Sequence, residues 1–222
     1  KENDMDEIEA CVKYAPVIMF DEREPFLPMR VGYTIFRDRV SSSPSFPREV
    51  ILKESEDFCI EYAIFWDWDI GHLYELEHIW VYTDNNKNIS RVDASWHGNF
   101  NSMDNIEIKG ETHPVLYSQP GKHAFAPDPS WFEPRERFIL PCTQETGISG
   151  LLITNLFKGK MTKTIEDDEL VLKYLTRFAF TPSFNFTKEF HFDSSYFYPW
   201  EEVYEWIPRR IKEILENIKK EV

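Results

Sequence analysis

Between residues 49 and 126 six segments of strand character follow one another: EVILK, DFCIEYAIFWDW, ELEHIWVYTD, RVDASWHG, IEIKGE and HPVLYSQ. β-Branched and aromatic residues dominate them, and short turn clusters such as DNNKN separate them. That pattern marks consecutive strands, and strands at this spacing point to a mainly β chain built as an antiparallel sandwich or barrel. With 222 residues and no break in composition, the chain is expected to form a single domain over 1–222.

Helices are expected only around this β region. DMDEIEACVKYAP sets Ile8, Cys11, Val12 and Ala15 at helical spacing before Pro16, which predicts an amphipathic helix over about 4–14. TIEDDELVLKYLTRF opens with Thr164 and Asp167 placed as a capping pair, predicting a helix over about 165–177. The end, PWEEVYEWIPRRIKEILENIKK, puts Trp200, Val203, Ile207, Ile211, Ile214 and Ile218 on one side of a helix over about 200–220, kinked or restarted at Pro208. SSSPSFP at 41–47 reads as a loop, PDPSWFEPRERF after 127 as an irregular Pro-rich segment, and Pro25 and Pro28 place their neighbours near a sheet edge.

The formal charge of −14 repels phosphate backbones and anionic lipid, so no nucleic acid is expected as a partner. No apolar run approaches the ~20 residues of a membrane helix, so no transmembrane segment is expected. Cys11, Cys59 and Cys142 are odd in number and widely spaced, which suits buried thiols in a reducing compartment such as the cytoplasm better than a disulfide framework or a thiolate zinc site.

The stretch DWDIGHLYELEHIWVY, 67–82, carries the chemistry. Strand alternation puts Glu75 and Glu77 on one face with Ile79 and Val81, and His78, Trp80 and Tyr82 on the other. Carboxylates on a face that turns aliphatic are costly unless a cation, donors or a proton offsets their charge. A hairpin through IGHL would gather Asp67 or Asp69, His72, Glu75 and Glu77 at one sheet end. Such a set, rich in oxygen with one imidazole, suits a divalent cation of the Mg, Ca or Mn kind. His97 in DASWHGNF and His123 in YSQPGKHAFAP, with His78, are candidates for moving a proton beside that cation. No phosphate-cradling loop, nucleophile elbow or zinc-helix signature is present.

GHLYELEH resembles the Gly-His-Arg-His-Asp-Trp-Glu heptapeptide of the necrosis-inducing cytolysins of plant pathogens. It is also similar to the Arg-Gly-Asp-Trp-Glu-His stretch of a related plant and fungal family described as vacuolar-sorting-like. YAPVIMFDEREPFLPMRVGY and HPVLYSQPGKHAFAP resemble further segments of the second family, in the same order over residues 14–127. The resemblance implies a β-sandwich with a divalent cation at one end of its sheets. His72, Glu75 and Glu77 match the ligand positions, Asp67 or Asp69 stands in for an upstream acid, and His123 matches a later histidine. Where that family has a second His, an Asp and a Trp, this chain has Tyr74, Glu75 and Leu76.

The expected function is cation-dependent binding of a small polar ligand such as a glycan or lipid headgroup, with Trp66, Trp68, Trp96 and Trp131 as stacking surfaces. The alternative is a metal-dependent hydrolase or lyase in which His123, His97 or His78 handles the proton.

Overall fold

The computed structural model describes residues 6–222. Residues 4 and 5 of the expected N-terminal helix lie outside them, and the helix that is described, α1, spans Glu7–Lys13. There follow β1 (Val17–Phe20), β2 (Arg30–Phe36), β3 (Val40–Ser42), β4 (Glu49–Ile51), β5 (Glu56–Asp69), β6 (His72–Asp84), β7 (Ile89–Trp96) and β8 (Asn99–Ser102). Next come β9 (Ile108–Lys109), β10 (His113–Ser118), β11 (Phe125–Ala126), α2 (Arg135–Thr143), β12 (Gly150–Leu151), α3 (Ile165–Thr176), β13 (Lys188–Phe190), β14 (Phe197–Pro199) and α4 (Trp200–Glu221).

Among the described residues the strands form two main sheets arranged as a sandwich and not a barrel, with β3 and β4 as a separate two-stranded ribbon. The larger runs β14-β2-β5-β6-β7-β8 with β12 beside β6, and the smaller runs β11-β10-β1-β13 with β9 beside β10. Consecutive strands pair antiparallel, as expected. Three pairs, β1 with β10, β6 with β12 and β2 with β14, are parallel instead. Each joins strands far apart in sequence, which leaves room for the long connection that parallel pairing requires.

The β5–β6 hairpin is the spine of the molecule. Its register, Tyr62 opposite Ile79 and Ile64 opposite Glu77, sends Ile60, Tyr62, Ile64, Trp66, Ile79 and Val81 to one face. These side chains are buried with Ile18 and Phe20 of the smaller sheet in the main core. The opposite face is covered twice. The β3–β4 ribbon lays Phe46, Val50 and Leu52 on Cys59, Trp80 and Tyr82, and α4 lies on β2, where it meets Gly32.

A Cβ on Gly32 would stand 2.7 Å from Trp200 Cε3 and 3.2 Å from Val203 Cβ, so the missing side chain is what lets α4 approach. Gly32→Val should destabilise the protein by about 1–3 kcal/mol through overpacking, read as a lower urea midpoint. An unchanged midpoint would mean that α4 does not rest on this spot.

One helix departs from expectation. Residues 135–138, expected to be irregular, open α2, with Phe138 and Cys142 buried one turn apart despite Pro141 in the last turns. Of the two expectations at Pro208, a restart does not occur: α4 runs through it as one element, because Val203, Ile207, Ile211, Ile214 and Ile218 bury a continuous stripe that outweighs the lost backbone bond. At α3 the capping box forms as expected between Thr164 and Asp167. All three cysteines are free and buried. No helix among the described residues is long and apolar enough to cross a membrane.

Candidate metal centre

The β5–β6 turn consists of Ile70 and Gly71, and it leaves Asp69 and His72 paired across the hairpin end. Asp69 is fully buried. Its Oδ1 accepts from Gly71 N at 2.6 Å and from Lys122 Nζ at 2.7 Å, while its Oδ2 has no hydrogen-bond donor among the described residues. His72 Nε2 stands 3.7 Å from that Oδ2 and 3.6 Å from Glu75 Oε2.

Strict alternation would put His72 and Glu75 on opposite faces of β6. Tyr74 prevents this: its φ of 57° is left-handed backbone, a conformation unusual for a bulky residue. The hairpin pairing is interrupted there, between Trp66–Glu75 and Trp68–Leu73. The kink brings one ligand atom each from Asp69, His72 and Glu75 within 4.8 Å of one another. Stacking of Tyr74 on Phe65 and its edge contact with Phe157 hold the kinked segment in place.

Glu77 lies beside this trio. Ser95 Oγ donates to Glu77 Oε2 and accepts from His78 N at 2.7 Å, which fixes both strands here. Burial, with the charges of Asp69 and Glu77, pushes the Glu75 carboxyl well above its usual range. Burial also pushes Glu77 up to about 8, against the Ser95 bond and with Asp69 adding. At Asp69 burial acts upward too, but the His72 ring and the Lys122 ammonium outweigh it and hold the carboxyl well below its usual range. Burial keeps the His72 ring below its ordinary value despite the pull of Asp69. Three carboxyl groups crowded out of water do not all ionise comfortably beside Lys122 and a His72 ring that burial holds below its ordinary value.

The cluster opens into a cavity of about 520 Å³. The β3–β4 loop supplies one wall through Ser45, Phe46 and Pro47, and residues 152–156 supply another through Leu152 and Leu156. His72, Glu75, Glu77, His78, His97 and Lys122 all reach it.

Of the five expected ligands, Asp69, His72 and Glu75 converge and Glu77 adjoins them. Asp67 does not join: Arg210 of α4 takes both its oxygens, at 3.0 and 2.8 Å. None of the four tryptophans lines the cavity, so the stacking role expected for them is corrected. Trp66 is fully buried and stacks on His123 at 4.5 Å. Trp68 stacks on Tyr174 of α3 at 4.6 Å, while Trp96 and Trp131 pack edge to face beside Phe132 and Phe138. Trp66 and Trp68 build core because β5 is covered on both faces, and Trp96 and Trp131 are half-buried against the Phe132–Phe138 cluster.

The histidines divide as well. His123 is buried away from the cavity, with Nε2 2.9 Å from Glu24 Oε1, so it does not face a ligand there. His97 lies on the cavity wall with Nε2 2.7 Å from Gln119 Oε1. His78 also reaches the wall, and its Nε2 is 2.9 Å from Ser45 Oγ. The Ser45 proton points to Glu61 Oε1 at 2.6 Å, so His78 is the donor in that contact and its Nδ1 is left without a partner.

Burial lowers the His78 ring to about 3. Unfolded chains take up this proton below about pH 6.5 and the native state does not, so His78 should cost up to about 1.4 kcal/mol of stability per pH unit from there downward. Urea unfolding at pH 7, 6 and 5 should show a shallower loss in His78→Gln than in the wild type. Equal slopes would mean that His78 protonates freely when folded.

Lys122, Gln119, Ser95 and Glu24 were not singled out from the sequence. Lys122 sits between Gly121 and His123 in the same Pro-Gly turn, and a lone Lys there carries no pattern of its own. No protein-family model matches the chain, and no curated protein or solved structure matches it.

Proposed function

We propose that the protein binds a divalent cation through Asp69, His72 and Glu75 and uses it to hold the oxygen atoms of a small polar ligand, such as a sugar or a lipid headgroup. The observation that carries this reading is Asp69 Oδ2. It is a fully buried carboxylate oxygen with no hydrogen-bond partner, facing an imidazole nitrogen 3.7 Å away.

The residues fit such an ion. Ligands about 2.1–2.4 Å from a cation and at right angles to one another stand about 3.0–3.4 Å apart, so contraction by a few tenths of an ångström would close this set. Asp69, Glu75 and Glu77 against Lys122 leave two negative charges when all four ionise, which a divalent ion balances. Two carboxylates and one imidazole suit Mg, Ca or Mn. The likeness of residues 71–78 to the cytolysin and vacuolar-sorting-like families supports the same reading, with Asp69 in the place of the upstream acid.

A metal-dependent hydrolase or lyase at the same centre is a second reading, favoured by His97 on the cavity wall. Glycan and headgroup arrays probed with Mn(II)-loaded protein and with chelator-treated protein test the first. Saturable binding that chelator abolishes, with no product formed, is the expected result, and binding indifferent to chelator contradicts it. Turnover of an ester, phosphoester or glycoside that disappears in chelator and in His97→Ala would establish the second instead.

A further inference from the structure

We infer that the ligand of this cavity is an amphiphilic chelating acid: a small carboxylate with a hydroxyl or keto oxygen on the neighbouring carbon and an apolar body. The inference rests on the cation reading above and specifies the ligand class of the same site.

Three protein ligand atoms leave three positions free on a six-coordinate cation. His72 and Glu75 both border the cavity of about 520 Å³, so the free positions face it. Two oxygens on adjacent carbons can take two of those positions at once, which a lone hydroxyl or carboxylate does less well. The head should carry a carboxylate, because an anionic oxygen is a stronger ligand for a hard divalent cation than a neutral hydroxyl; Lys122 borders the same wall with its ammonium held by Asp69.

The body should be apolar. Beyond the cluster the cavity is bordered by Phe46, Pro47, Leu76, Leu152 and Leu156, and Leu152 is 42% exposed beside it. A cavity of this size is in the range that encloses a compact organic molecule, with apolar walls for its body and a few polar groups to orient its head. A sugar alone would leave those walls in contact with hydroxyls. An apolar body removes them from water and adds affinity in proportion to the area covered.

Calorimetric titration of Mn(II)-loaded protein with matched acids tests this. The probes are mandelate and 2-hydroxyoctanoate, set against lactate, which has the same head without the body, and against phenylacetate and octanoate, which have the body without the second oxygen. At least one of the two hydroxy acids should bind ten-fold or more tighter than lactate and than its own hydroxyl-free partner. That advantage should fall at least three-fold in Leu152→Ser, which removes an apolar wall residue without altering Asp69, His72 or Glu75. If Mn(II) binds but neither acid exceeds lactate, the ligand class is wrong and the cation reading stands. If Mn(II) itself does not bind, both fall.

Discussion

Asp69→Asn should lower Mn(II) affinity by about a hundred-fold or more, equivalent to about 2.7 kcal/mol, and Glu75→Gln should do nearly the same. Each substitution keeps the size of the side chain and removes one charge. Asp69 has the larger expected effect because it is fully buried and neither Gly71 nor Lys122, which both bond its Oδ1, reaches its Oδ2. Asp67→Asn is the matched control. Asp67 is two residues away on the same strand, but Arg210 holds both of its oxygens, so its loss should leave Mn(II) affinity within about two-fold of wild type. Calorimetric titration of the three variants separates a defined ligand set from the general pull of an acidic surface, under which all three would weaken binding alike.

Glu24→Ala should cost about 3–5 kcal/mol of stability, among the largest effects of any single polar substitution here. Glu24 is buried, and it ties down the loop after β10 at two points: Oε2 accepts from Gly121 N at 2.8 Å, and Oε1 stands 2.9 Å from His123 Nε2. Truncation leaves both groups without a partner in the interior. For a chain of this length the loss corresponds to a fall in Tm of roughly 6–20 °C. The same loop delivers Lys122 to Asp69 and Gln119 to His97, so Glu24 positions the cavity wall without touching it. Glu24→Gln keeps the shape and one acceptor and should lose less than half as much. Thermal unfolding of the pair reads this directly, and equal, small losses in both would mean that the loop is held by its backbone alone.

Much of the β architecture was legible because its signals are local. The long strands β5, β7 and β10 appear close to their expected bounds, while β9 shrinks to two residues and β8 is not among the expected strands; the Thr164–Asp167 box caps α3, and the apolar stripe of α4 is buried as its spacing implies. The two-sheet arrangement was less legible, since the short strands β12, β13 and β14 are held by partners far away in sequence and have little pattern of their own.

At the candidate site, residue types were legible and directions were not. Period-two alternation places Glu75 and Glu77 together, but it cannot show that a left-handed Tyr74 would swing Glu75 back to His72, because no Gly or Asn announces the kink. Nor could it choose between Asp67 and Asp69, a choice made by Arg210 from the far end of the chain. The tryptophans misled for a related reason. A strand buried on both faces shows no polar side, so beside acidic residues Trp66 and Trp68 fit a stacking surface as well as a core, and they are core.

The most direct test is a Mn(II) titration of chelator-treated wild-type protein, followed by loss of the free-ion paramagnetic resonance signal. One saturable equivalent per chain, absent in a folded His72→Ala variant, is the predicted result. No saturable uptake by the folded wild type would contradict a cation site at the β5–β6 turn.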